Sequence, residues 1–208
     1  MSEADRADAS SPSAPAEPKG PWPAILTWRA HDEPRMESAR VQVAGGRVKA
    51  YGRIVAAHTP SHPAFSASYD LITDEAGATK RLSLTVTLAE RERQISIARD
   101  EENMWLVQER TGQSSRSAFD GALDVDVIFS PFFNALPIRR TGIYRENAGS
   151  VTVPVIYLRV PELAYEVATI SYTSTTDGIA LNSPVAQTTV QVDSEGFILD
   201  YPGLAERI

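Results

Sequence analysis

Two carboxylates one residue apart, Asp124 and Asp126, are the first side chains here whose type and spacing could do chemistry. They lie in the alternating run Asp124-Val125-Asp126-Val127-Ile128-Phe129. As a strand, this run puts both acids on one face and Val125, Val127 and Phe129 on the other. Together the acids could accept hydrogen bonds from sugar hydroxyls. The plainer reading turns that face to solvent and the valines to the core, and alternation alone leaves both open. For catalysis the spacing is poor. Side chains two apart on a strand sit ~7 Å apart on one side of a ligand, whereas glycoside hydrolysis needs carboxyls flanking the scissile bond. An enzyme of sugar or lipid metabolism using Asp124 or Asp126 as base is the secondary reading, and no catalytic residue is assigned.

The next candidates follow within a few residues. Ser130-Pro131 is a helix start: the serine can cap free amides, and proline suits the first helical position. Phe132, Phe133, Leu136 and Ile138 make the short helix apolar enough to plug a core. Asn134 on it could bond a ligand or the nearby backbone. Pro137 predicts a kink or break near Leu136. Arg139 and Arg140 point about 100° apart on a helix, so at most one faces the aspartates. Either could hold a carboxylate, bind a ligand anion or complement the helix C-terminus, which Gly142 closes.

Other chemistries find less support. His58 and His62 have a metal-like spacing, but Pro60 and Pro63 forbid the helix that would make them converge, and His31 lies in another polar stretch. No metal or cofactor is expected. With no cysteine there is no disulfide and no thiolate nucleophile. A net charge of −7 argues against nucleic acid as partner. No run approaches the ~20 apolar residues of a transmembrane span, and the polar start of the chain is not a secretory signal, so the expected location is cytoplasmic.

The run Asp124-Val125-Asp126 followed by Ser130-Pro131-Phe132-Phe133-Asn134-Ala135-Leu136-Pro137-Ile138-Arg139-Arg140 resembles the signature of a bacterial family described as putative glycolipid-binding, formerly a domain of unknown function. Val192-Asp193-Ser194-Glu195-Gly196-Phe197-Ile198-Leu199-Asp200-Tyr201-Pro202-Gly203-Leu204 is similar to the family's other hallmark, and Trp28-Arg29 and Glu37 extend the likeness over roughly residues 24 to 208. Phe133 and Ala135 stand where the family usually has Thr. The resemblance implies a long antiparallel sheet curled around one helix, remotely like lipoprotein-localisation factors, and assembly as a homodimer. It also implies an acidic pocket, for which Glu37 joins Asp124 and Asp126.

The elements that must position these residues are nearly all strands. Residues 1–23 hold five prolines with Ala, Ser and acids, and Trp22 is the only large apolar side chain after Met1, so a disordered tail is expected. Strands are expected at Ile25–Arg29 and in a hairpin turning at Gly45-Gly46. Further strands run over Phe65–Ile72, Leu82–Leu88, Gln94–Ala98 and Met104–Gln108, and Arg110–Ala118 reads as a polar loop. Ser150–Arg159 carries Pro154 and should lie at an edge or hold a bulge. Ala164–Tyr172, Pro184–Val192 and Phe197–Tyr201 complete an all-β domain over 24–208, a β-roll or half-barrel around a single helix. The function this favours is non-catalytic binding of an amphipathic ligand, a glycolipid, in an acidic-rimmed pocket with Glu37, Asp124, Asp126, Asn134, Arg139 and Arg140 as its polar residues. A homodimeric interaction protein without a small ligand is the third reading.

Overall fold

Alternating side chains translate into one sheet in this computed structural model, which describes residues 22–110 and 112–208. The expected disordered tail falls mostly on residues 1–21, outside the described residues. Trp22 is described, and it packs on Phe197 with ring centroids 5.0 Å apart.

The first meander comprises β1 (Ala24–Ala30), β2 (Arg35–Ala44), β3 (Arg47–Ala56), β4 (Phe65–Thr73) and β5 (Thr79–Thr87). It continues through β6 (Glu92–Arg99), β7 (Trp105–Glu109) and β8 (Ser114–Ser117). A 3-10 turn at Phe119–Gly121 leads to β9 (Asp124–Val127) and the helix α1 (Pro131–Thr141). The second meander is β10 (Ser150–Arg159), β11 (Ala164–Thr175), β12 (Gly178–Asn182), β13 (Gln187–Val192), β14 (Ile198–Tyr201) and β15 (Ala205–Arg207). Spatial order runs from β8 back to β1, then β15 back to β9, so the chain starts mid-sheet and visits both ends. The hairpin at Gly45-Gly46 forms as expected, with Ala44 opposite Arg47.

The sheet is curled but open. Its two edge strands, β8 and β9, are consecutive in sequence, so the curl must bring the ends near one another. Thr79 N–H donates to Leu123 O at 2.9 Å, and Ser115 and Tyr165 hydroxyls meet at 3.1 Å. The fold is all-β around one helix, with one local exception to the antiparallel pairing: β9 lies parallel to β10, with Asp126 opposite Tyr157. Parallel neighbours need a crossover, and α1 supplies it.

Helix α1 is enclosed by the sheet. Eight of its residues, Pro131 to Ile138, are buried. The helix runs unbroken through Pro137, so the kink or break expected there is not a break. A proline inside a helix costs about 3 kcal/mol, whereas burying Phe132, Phe133, Leu136 and Ile138 gains about 1.5–3 kcal/mol each. Packing from all sides therefore fixes the axis. Gly142, at φ +71°, ends the helix with its N–H on Arg139 O.

Four sequence expectations change. The loop expected at Arg110–Ala118 contains β8, which pairs with β7 despite exposed side chains. Strands β12 and β15 were not foreseen. Pro154 makes no bulge, and β10 is not an edge, but β9 reaches only Val155–Leu158, so the chain at Pro154 is locally unpaired on that side. Finally, the acid-bearing face of β9 does not meet solvent: Asp124 is 0% and Asp126 7% exposed.

Candidate functional site

Alternation in β2 turns Arg35, Glu37, Ala39 and Val41 inward, which delivers a carboxylate to the N-terminus of α1. Glu37 accepts hydrogen bonds from Ser130 Oγ and Tyr69 Oη, each at 2.6 Å, and from the Phe132 N–H at 3.4 Å. Ser130 therefore does not cap the helix as its sequence suggests. Its hydroxyl donates to a buried carboxylate, the stronger acceptor, and that carboxylate takes the free amide instead. Burial raises the Glu37 pKa to about 7, opposed by the bonds from Ser130 and Tyr69.

The two aspartates of β9 have different partners. Asp124 meets Arg140 in a forked bond, Nη2 at 2.6 Å and Nε at 3.1 Å from Oδ2. Burial draws the Asp124 carboxyl above its usual range, and the bond to Arg140 pulls it back. Arg139 points away. It bonds the Glu195 carbonyl, lies 3.6 Å from the Glu195 carboxylate and covers the Phe197 ring at 4.6 Å.

Among the described residues, Asp126 forms no ion pair with a cation. Its Oδ1 accepts from Asn134 Nδ2 at 3.4 Å, and Asn134 Oδ1 accepts from Tyr172 Oη at 3.2 Å. Burial raises the Asp126 pKa to about 7, and its carboxylate neighbours Asp124 and Glu37 add to that rise.

Asp126 opens into a pocket of about 360 Å³ between the start of α1 and the turns joining β12 to β13 and β14 to β15. Its floor is formed by buried groups: Asp126, Ser130, Asn134, Tyr157 and Tyr201. Its mouth is formed by Val185, 56% exposed, with Pro202, Gly203 and Leu204. The acid is at the floor, and the rim combines these groups with polar Ser183, Gln187 and Thr188, whereas the sequence led to an acidic rim. Of the six residues singled out there, Asp126 and Asn134 line this pocket. Glu37 sits behind Ser130, while Asp124, Arg139 and Arg140 lie off it.

One wall is strained. Phe129 has φ +73°, a conformation that costs a side-chain-bearing residue about 1–3 kcal/mol and recurs at functional sites. Arg35 holds it from behind, with its guanidinium 4.3 Å from the ring centroid and paired to Glu33. His62 and Phe65 pack beside it at 5.5 and 6.3 Å. Phe129, Tyr157 and Tyr201 were missed by sequence reasoning. For Tyr201 to Leu204 a signal existed, since they belong to the C-terminal run that carries the family likeness. Among the described residues, no group of three or more His, Asp or Glu is placed to hold a metal, and no helix is long and apolar enough to cross a membrane.

Comparison with known proteins fits this architecture. The chain is similar to a crystallographically solved DUF1089 family protein from Pseudomonas aeruginosa. The two share 24% identity, with 83% of this chain and 92% of that chain covered and a TM-score of 0.66, a likeness of fold. No curated protein matches it. The profile of the family described as "Putative glycolipid-binding" matches residues 25–207, from the first strand to the last. The chain belongs to that family.

Proposed function

We propose that this protein binds an amphipathic ligand, a glycolipid in keeping with its family, and takes it head-first into the Asp126 pocket. The observation that carries this reading is the arrangement of the pocket: a buried hydrogen-bonding floor of Asp126, Ser130 and Asn134 beneath a mouth where Val185, Pro202 and Leu204 give an apolar side beside Ser183, Gln187 and Thr188. A volume of about 360 Å³ suits a head group of sugar size but not a whole lipid. The acyl chain then leaves past Val185 and Leu204. The interior around α1, filled by Phe132, Phe133 and Leu136, leaves the chain no path inward.

Binding fits these groups better than catalysis. A carboxyl with a pKa near 7 in a pocket has the character of a general base. Glycoside chemistry needs a second free carboxyl, however, and Asp124 is committed to Arg140. The test is native mass spectrometry of protein purified from its own host. The expected result is a co-purifying amphipath in the wild type that is lost in Leu204→Arg, which closes the mouth. A ligand-free wild type, or equal retention by the variant, would overturn the proposal.

A further inference from the structure

The pocket's charge is one-sided. Its lining contains Asp126 and no lysine, arginine or histidine. Among the described residues, the cations packed around it are already engaged: Arg140 by Asp124, Arg35 by Glu33 and the Phe129 ring, and Arg159, 5.2 Å from the Tyr157 ring centroid, by Glu166. The ionisable groups around Asp126 are Asp124 on its own strand, Glu37 from β2, and the hydroxyls of Tyr157, Tyr172 and Tyr201 from β10, β11 and β14. None brings positive charge. A phosphate or sulfate entering here would meet hydroxyls and amides but, among the described lining residues, no cation to neutralise it. Aromatic rings of Phe129, Tyr157 and Tyr201 also line it, and ring faces attract cations; Arg35 already covers one face of Phe129 and Arg159 one face of Tyr157.

We propose that the head group taken by this pocket carries an ammonium, as an amino sugar does, and that the pocket rejects anionic head groups. This rests on the head-first reading above. In it, Asp126 is the counter-ion and the aromatic rings surround the ammonium, while Asn134 and Ser130 bond neighbouring hydroxyls. The unpaired carboxyl on a strand whose other carboxyl is fully paired is then explained: its cation arrives with the ligand. An arginine in that place would occupy the site permanently.

The test is calorimetric titration with three probes sharing one dodecyl chain. They are the glucoside, its analogue with a primary amine replacing one hydroxyl, and its phosphate ester. Charge-assisted bonds are about twice as strong as neutral ones, so the amine should bind about tenfold more tightly than the glucoside. The phosphate ester should bind most weakly. Because burial raises the Asp126 pKa to about 7, ammonium binding below that pH must expel a proton. Amine affinity should therefore fall about tenfold per pH unit below 7 and level off above it, while the glucoside changes little. Asp126→Asn should abolish both the amine preference and its pH dependence. Gln187→Lys, at an exposed lining position, should weaken the amine and favour the phosphate ester. A glucoside that binds as tightly as the amine, or an order unchanged by Gln187→Lys, overturns the inference but leaves head-first binding standing. Failure of all three probes to bind overturns both.

Discussion

At the residue scale, three inward carboxylates have been given three different partners. Asp124 has a cation, Glu37 has three hydrogen-bond donors, and Asp126 has one weakly placed amide and an open pocket. Asp126, which the Val127 backbone also serves, is the one of the three that lines the pocket. Because Asp124 is fully buried, Arg140→Ala should strand a charge and cost roughly 3–5 kcal/mol. Arg110→Ala, at an exposed pair with Glu92, should cost less than about 1 kcal/mol. Replacing Asp124 and Arg140 together with apolar residues should recover much of the loss. Chemical denaturation reads all three, and equal small shifts for Arg140→Ala and Arg110→Ala would contradict the buried pairing. Arg139 needs no such partner, since a carbonyl and the Phe197 ring hold it.

At the element scale, one strand and one helix are fastened by a single side chain. Glu37 of β2 holds the hydroxyl of Ser130 and the free Phe132 amide of α1, and through Tyr69 it reaches β4. Glu37→Ala should leave two hydroxyls and an amide unsatisfied at about 1–3 kcal/mol each, so a loss above about 3 kcal/mol is expected in thermal or urea unfolding. Ser130→Ala, which leaves Tyr69 and the amide served, should cost a fraction of that. A Glu37→Ala variant as stable as wild type would refute the cap. Much of this was legible in sequence. The alternation of Leu82, Leu84 and Val86 marked the inward face of β5, and the Ser130-Pro131 start and Gly142 end bracketed α1 correctly. Strand β8 was not legible because pairing, not burial, makes it, while β12 and β15 bury only Ile179, Leu181 and Ala205 and are too short to show a pattern. Ser114-Ser115-Arg116-Ser117 has no apolar face to read. Asp126 and Asn134 were visible by type and spacing. Tyr157 was not, because its place opposite Asp126 depends on a parallel register that no local pattern encodes.

At the scale of the whole molecule, the strand order explains where the pocket lies. A chain that starts mid-sheet, runs to one end and returns from the other brings β9, the last strand in space, against β5 and beneath α1. The helix fills the concave face and leaves an opening where its N-terminus and β9 meet the turns after β12 and β14. Fold and site therefore have a common origin: the crossover that makes β9 and β10 parallel also buries both faces of β9 and turns Asp126 into the gap. The central claim is head-first binding at that carboxyl, and a crystal structure of the complex with a dodecyl amino-glucoside tests it most directly. The account predicts the sugar at the floor, a polar atom about 3 Å from the Asp126 carboxylate and the dodecyl chain passing Val185 and Leu204. A chain inserted toward Asp126 with the sugar left at the mouth, or a ligand seated elsewhere on the sheet, would contradict it.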